Sequence, residues 1–216
     1  KVRAERNGVL DVLINNAGTY CSWFMTTDEG FELQFAVNHL APFLLTHQLL
    51  PLLMAAPNGR VISVSSGSHY GTILYWKDLQ LRKHYNGLWA YKQSKLANLL
   101  FIAELNRRFV TNSTLRAYAA DPGLVNTEIG FKNTTGLAHW VWGKRRRKGR
   151  RPEDAAATSI FLASDPAVQK TDAIYWKDCK PTPPSRYVNR FDARQRLWGL
   201  SEKMCGVKYA DYGLGS

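Results

Sequence analysis

Two short apolar runs constrain this chain more than any other feature. Val9–Ile14 (VLDVLI) and Arg60–Val64 (RVISV) each stop on small polar residues, Asn15-Asn16-Ala17-Gly18 and Ser65-Ser66-Gly67. Runs this short, rich in branched side chains and bounded by turn formers, suit strands buried in a parallel sheet. Parallel strands need a crossover, and the sequence between them supplies one. From Asp28 to Met54, the residues Phe31, Phe35, Leu40, Phe43, Leu44 and Leu50 recur at helical spacing, which predicts a helix with Asp28 as its N-cap. The alternation continues. Leu88–Phe109 reads as a long amphipathic helix, and Leu115–Ala120 as a third strand ended by Asp121-Pro122-Gly123. Pro152–Ala163 reads as a helix, with Pro152 in its first turn and Glu153-Asp154 at its positive end. Ala173–Trp176 is a fourth strand, Pro181, Pro183 and Pro184 break the chain, and Asn189–Met204 is a last helix. Strand and helix in alternation predict an α/β fold, a parallel sheet with helices on both faces.

The composition is that of a folded domain. Of 216 residues, 45% are hydrophobic and 12% aromatic, enough for a core and unlike a disordered or fibrous chain. No apolar run approaches the ~20 residues of a membrane span. Cys21, Cys179 and Cys205 are too few and too scattered for a disulfide scaffold or a zinc site, so no metal is expected. The net charge is +12, and seven positive charges lie between Lys144 and Arg151. The basicity is thus local, which argues against a nucleic-acid partner.

Candidate chemistry gathers at the strand ends. Tyr91 is the one tyrosine with a lysine, Lys95, four residues on, and on a helix the two share a face. An ammonium beside a phenol favours the phenolate and brings a group of pKa ~10 toward use as an acid/base. In isolation the pair reads first as a core tyrosine with a lysine reaching to solvent, and its context is what favours chemistry. Ser66 ends the second strand, where α/β sheets bind ligands, and can hold a substrate oxygen; it is also an ordinary turn serine. Asn38 lies inside an apolar helix, where an amide needs partners. The small residues after Ile14 would let a cofactor approach the backbone, and Thr127 follows Asp121-Pro122-Gly123 closely enough to offer a hydroxyl; both segments also read as turns.

Together, Asn15-Asn16-Ala17-Gly18, Asn38, Ser66, Tyr91-x-x-x-Lys95 and Pro122-Gly123 resemble the short-chain dehydrogenase/reductase family. Val37-Asn38-His39-Leu40, the 25-residue step from Ser66 to Tyr91, and the run Tyr91–Asn98 (YKQSKLAN) resemble its retinol dehydrogenase branch. The resemblance implies hydride transfer between a nicotinamide and an alcohol/carbonyl pair. By it, Tyr91 is the acid/base, and Lys95 lowers the tyrosine's pKa and holds the nicotinamide ribose. Ser66 positions the substrate oxygen, and Asn38 holds a water linking Lys95 to solvent. Asn15, Ala17 and Gly18 line the adenosine side, while Pro122, Val125 and Thr127 face the nicotinamide. It further implies NADP(H) rather than NAD(H), and a hydrophobic alcohol, aldehyde or ketone of retinoid or prenol type as substrate. The family opens with a strand, a T-G-x-x-x-G-x-G turn, a helix and two further strands, and none of these appears in the 216 residues. The expectation is therefore the carboxyl-terminal part of a Rossmann-like doubly wound parallel sheet, truncated at its amino end. Residues 1–183 would form the partial domain and 184–216 its last helix and tail.

Three further expectations follow. Lys144–Arg151, preceded by Trp140 and Trp142, suits an anionic membrane surface, with a solvated charged loop as the equal alternative. Location would be the cytoplasm or the surface of the endoplasmic reticulum membrane; the sequons Asn112-Ser113-Thr114 and Asn133-Thr134-Thr135 matter only in a lumenal domain. The helices 28–54 and 88–109 could pair in a homodimer, and a rival reading makes the chain an inactive truncated isoform that acts through those faces.

Overall fold

The computed structural model of the chain describes residues 8–109, 113–126 and 149–209. Five strands form one sheet in the order β1 (Val12–Asn15), β2 (Arg60–Val64), β3 (Arg116–Asp121), β4 (Tyr175–Lys177) and β5 (Lys180–Pro181). The first four are parallel, with Leu13 opposite Val61, Val61 opposite Ala117, and Ala119 opposite Tyr175. The helices are α1 (Leu33–Phe35), α2 (Ala41–Met54), α3 (Gly87–Phe109), α4 (Pro152–Ser164) and α5 (Phe191–Cys205).

Side chains alternate across the sheet and divide the core in two. Leu13, Val61, Ala117, Ala119 and Tyr175 face a layer with buried residues of α2, α3 and α5. Ile62, Tyr118, Ala120 and Trp176 face Leu162 of α4 and Val168 of the short turn after it. Helices thus cover both faces, as the alternation of elements predicts. Every residue of α3 from Gln93 to Leu105 is buried, because the sheet, α5 and the α1–α2 junction surround it. Each such leucine or phenylalanine contributes about 1.5–3 kcal/mol of burial. The helix expected at 88–109 as half of a dimer face is therefore largely covered within its own chain. Among the described residues no helix is long and apolar enough to cross a membrane.

The structure corrects several boundaries. β1 starts at Val12 rather than Val9, since Leu10 N–H bonds to Leu52 O at the end of α2 instead of to a strand. Asp28 is not a cap. It lies in the turn of a small hairpin in which Thr26 pairs with Glu32, and Glu32 caps α1 by accepting from Gln34 N and Phe35 N. The expected helix 28–54 is α1 and α2 joined by a π-helical turn, Ala36–Leu40. A fifth strand was not expected because Pro181 reads as a breaker. At a sheet edge its missing N–H leaves no ladder bond unmade, and the Asp178-Cys179 turn, with φ of 52° and 58°, reverses the chain into it.

Candidate active site

The chemically interesting residues meet at the carboxyl ends of β2 and β3, against the first turns of α3. Asn86 starts that helix by accepting Trp89 N–H at 2.9 Å. Gly87 lets it approach the loop after β1, since a Cβ there would lie 2.2 Å from Cys21 O. The same loop places the Tyr20 ring edge-on to Tyr91, with centroids 5.9 Å apart.

Tyr91 and Lys95 lie one turn apart on α3, as their spacing predicts. The Lys95 ammonium lies 5.6 Å from the centre of the Tyr91 ring and donates to Val64 O at 2.9 Å. Ser66 stands beside the Tyr91 hydroxyl and favours its phenolate, while its own hydroxyl donates to Ser68 Oγ at 3.1 Å. Tyr91 is half-buried as a whole residue, and burial around its hydroxyl pushes the phenol up to about 12. Ser66 opposes the rise and the Asp121 charge adds to it. Burial brings Lys95 down to about 8. In the ligand-free site desolvation is thus the largest influence on the phenol, and it raises rather than lowers it.

Ser66 has an extended backbone and caps the short 3-10 turn Gly67–His69 through Ser68 N. Its carbonyl bonds to His69 Nδ1 at 2.7 Å, while His69 Nε2 accepts Ser185 N–H at 3.1 Å. The proton therefore sits on Nδ1, the ring is neutral, and burial holds its pKa below the ordinary value. This buried histidine ties Ser66 to the segment before α5.

Asn38 is wholly buried in the π-helical turn. Its Oδ1 accepts Thr19 N–H at 2.7 Å, and its Nδ2 donates to Thr19 O at 3.0 Å and to Ser94 Oγ at 2.9 Å. Ser94 in turn donates to Tyr91 O at 2.8 Å. The amide thus latches the loop after β1 to the helix that carries Tyr91, and both its donors are used. Within the side chain, only the second lone pair of Oδ1 is left for a water.

The remaining expected residues are spread along the same edge. The Asn15 side chain turns to Thr46 of α2, at 3.2 Å, so a cofactor would meet only its backbone. Ala17 is exposed, and Gly18, Pro122 and Val125 are half-buried. Thr127 lies outside the described residues. So do Trp140, Trp142, Asn112, Asn133 and the basic residues Lys144–Lys148. Arg150 and Arg151, the last of the basic run, pair with Asp178 and Asp154.

Lys95 has three N–H donors, and Val64 is its hydrogen-bond acceptor among the described residues. Buried donors beside an acid/base at this end of a parallel sheet fit the ribose and nicotinamide of a dinucleotide. No glycine-rich phosphate turn occurs in the 216 residues, so the fit covers that half of the cofactor.

Sequence reasoning passed over Thr19, His69, Ser94, Asp121 as a charge, and Tyr175. Ser94, inside Tyr91-x-x-Ser94-Lys95, and Asp121, at the end of an apolar strand, carried a local signal. His69 and Tyr175 carried none, because their partners are distant in the chain.

The sequence matches the short chain dehydrogenase family model over residues 1–137. It is 40% identical over 208 residues to Retinol dehydrogenase 14 of Homo sapiens, an alignment covering 92% of this chain and 59% of that protein. It is 37% identical to Retinol dehydrogenase 13 of Homo sapiens, covering 94% and 63%. The chain spans about three fifths of the length of these curated relatives. Among solved structures, an uncharacterized protein from Mycobacterium paratuberculosis superimposes with a TM-score of 0.70 at 32% identity, covering 96% of this chain and 71% of that one. An NADPH-bound carbonyl reductase from chicken fatty liver shares the fold, with a TM-score of 0.56 at 20% identity, covering 82% and 66%.

Proposed function

The chain belongs to the short chain dehydrogenase family, and on that premise we propose that it is an oxidoreductase that interconverts an alcohol and a carbonyl compound, with Tyr91 as its acid/base. One observation carries the reading. The Tyr91 hydroxyl stands beside Ser66 and the buried Lys95 ammonium, which is anchored on Val64 O at 2.9 Å, at the carboxyl end of a parallel sheet.

Each residue has a distinct task. Ser66 donates a hydrogen bond to the substrate oxygen and holds it within reach of the Tyr91 hydroxyl. In reduction Tyr91 gives its proton to that oxygen, and in oxidation it takes the proton back. Lys95 stabilises the phenolate left behind and offers its free N–H donors to the ribose of a nicotinamide cofactor. That cofactor, when bound, supplies or accepts the hydride. The backbone of Asn15, Ala17 and Gly18 would line its adenosine side, and Pro122, Val125 and Thr127 would face the nicotinamide. Asn38 acts on the site by holding Thr19 and Ser94. We assign residues 184–216 to the same domain, a reading supported in the described part by the core that Trp198 and Tyr209 share with α3.

We read the cofactor as NADP(H) and the substrate as a hydrophobic retinoid- or prenol-like compound; the likeness to retinol dehydrogenases supports the retinoid part of that reading. Exposed apolar side chains on the neighbouring loops, among them Tyr70, Ile73 and Leu124, suit such a substrate. Turnover of a long-chain aldehyde with NADPH is the test. Tyr91→Phe should lose at least ~100-fold in kcat, the usual worth of a positioned acid/base. A kcat within threefold of the parent would remove Tyr91 from the chemistry.

A further inference from the structure

A third charge bears on Tyr91 and Lys95. Asp121 ends β3 with its carboxylate buried, 3% exposed. Gly123 N–H donates to Oδ1 at 2.8 Å, and the Tyr175 hydroxyl donates to Oδ2 at 2.6 Å. Gly67 packs so close that an added Cβ would stand 3.3 Å from Oδ2. Two neutral donors therefore fix the carboxylate in one place.

The groups that feel its charge come from each element around it. Asp121 continues the alternation of Ala117 and Ala119 toward the sheet face that α3 covers, and Lys95 of α3 reaches Val64 O, in register with Ala120, the residue before Asp121. The charge also bears on Tyr91 of α3 and on His69 and Tyr70 of the turn after β2. Tyr175 faces it from β4, and Arg150 from the segment that returns beside Val125. His69 is neutral in its observed hydrogen bonding, and Arg150 is exposed and already paired with Asp178. Lys95 is thus the buried cation that shares the site with this buried anion. A lone buried ammonium is costly, and a carboxylate nearby lowers that cost for Lys95.

We propose that Asp121 is a positioning residue for the Tyr91–Lys95 pair, a buried carboxylate fixed by Gly123 and Tyr175 at the end of β3, beside the strand end on which the Lys95 ammonium is anchored. The catalytic consequence rests on the reading of Tyr91 as acid/base; the effect on Lys95 does not. Burial alone draws Lys95 down toward neutral pH, and Asp121 opposes that fall. The same charge makes the phenolate harder to form. Asp121 thus holds the pair as ammonium and phenol, the state needed to protonate a carbonyl oxygen.

Asp121→Asn keeps the shape and removes the charge. Lys95 is titrated in ligand-free protein by carbon-13 NMR of ε-labelled lysine, with Lys95→Arg assigning the signal. The parent midpoint is expected near about 8. The Asn variant should titrate at least ~0.5 pH unit lower, since a charge on the order of 10 Å away at an effective dielectric of about 20 is worth roughly one unit. Tyr175→Phe keeps the charge and should leave the midpoint within ~0.3 pH unit of the parent. Asp121→Ser takes the place of the Asn variant if that does not fold. In carbonyl reduction, losing Asp121 lowers both groups together, so the high-pH limb of kcat/KM moves to lower pH. A merely structural residue would lower the plateau and leave the limb in place. A Lys95 midpoint unchanged or raised on removal of the charge overturns the proposal. A lowered midpoint in a protein with no reductase activity supports it and overturns the proposed function instead.

Discussion

Replacing Asn38 with alanine separates a structural latch from a residue that merely holds a water. The substitution removes three hydrogen bonds: the acceptor for Thr19 N–H at 2.7 Å, the donor to Thr19 O at 3.0 Å, and the donor to Ser94 Oγ at 2.9 Å. A buried polar group left unpaired costs about 1–3 kcal/mol. Thr19 is half-buried, so water can partly replace the amide there, and the low end applies to its two backbone groups. Ser94 keeps its bond to Tyr91 O and loses less, roughly 0.5–1 kcal/mol. The total is about 3 kcal/mol, a large part of a typical domain's stability of ~5–15 kcal/mol. Urea unfolding followed by tryptophan fluorescence measures the loss. Hydrogen exchange should show the amides of the loop after β1 opening first, because Thr19 is the anchored point. A loss under ~1 kcal/mol would refute the latch and return Asn38 to a water-holding role.

Three other outcomes are expected. Gly87→Ala should destabilise by about 1–3 kcal/mol in the same assay, since its Cβ would stand 2.2 Å from Cys21 O and 2.9 Å from Ser22 Cα, both backbone atoms; unchanged stability would mean that the loop after β1 yields freely. His39 is buried and held at about 3, and His69 is also lowered by burial. The unfolded chain, with histidines near ~6.5, therefore binds more protons than the folded one below that pH, so stability present above ~6.5 is lost as pH falls, by about 2 kcal/mol at pH ~5 for His39 alone. His39→Gln should flatten that slope, and an equal slope in both proteins would contradict the assignment. Finally, changing Arg145, Arg146, Arg147 and Lys148 to serine should weaken binding to anionic liposomes and leave turnover of a small soluble aldehyde nearly unchanged. Equal liposome binding by the parent and the variant would make the basic run a solvated loop.

The local order of the chain was already decided by its residues. Short β-branched runs closed by Asn15-Asn16-Ala17-Gly18 and Ser65-Ser66-Gly67 could be little else than buried parallel strands, because their periodicity and their stops are properties of neighbouring residues. Tyr91 and Lys95 were legible for the same reason: a four-residue step on a helix places two side chains on one face whatever surrounds them. Asp28 was misread as a cap because it and Glu32 are both plausible at a helix start, and only the pairing of Thr26 with Glu32 moves the start of the helix. The Lys180–Pro181 strand was invisible because whether a proline is tolerated depends on which edge of the sheet it occupies. The charge state of the site was also beyond reach. Whether Tyr91 is drawn down by Lys95 or pushed up by burial depends on how much water surrounds its hydroxyl and on where Asp121 points. Desolvation and long-range charge are sums over groups that are far apart in the chain, and folding alone brings those groups together.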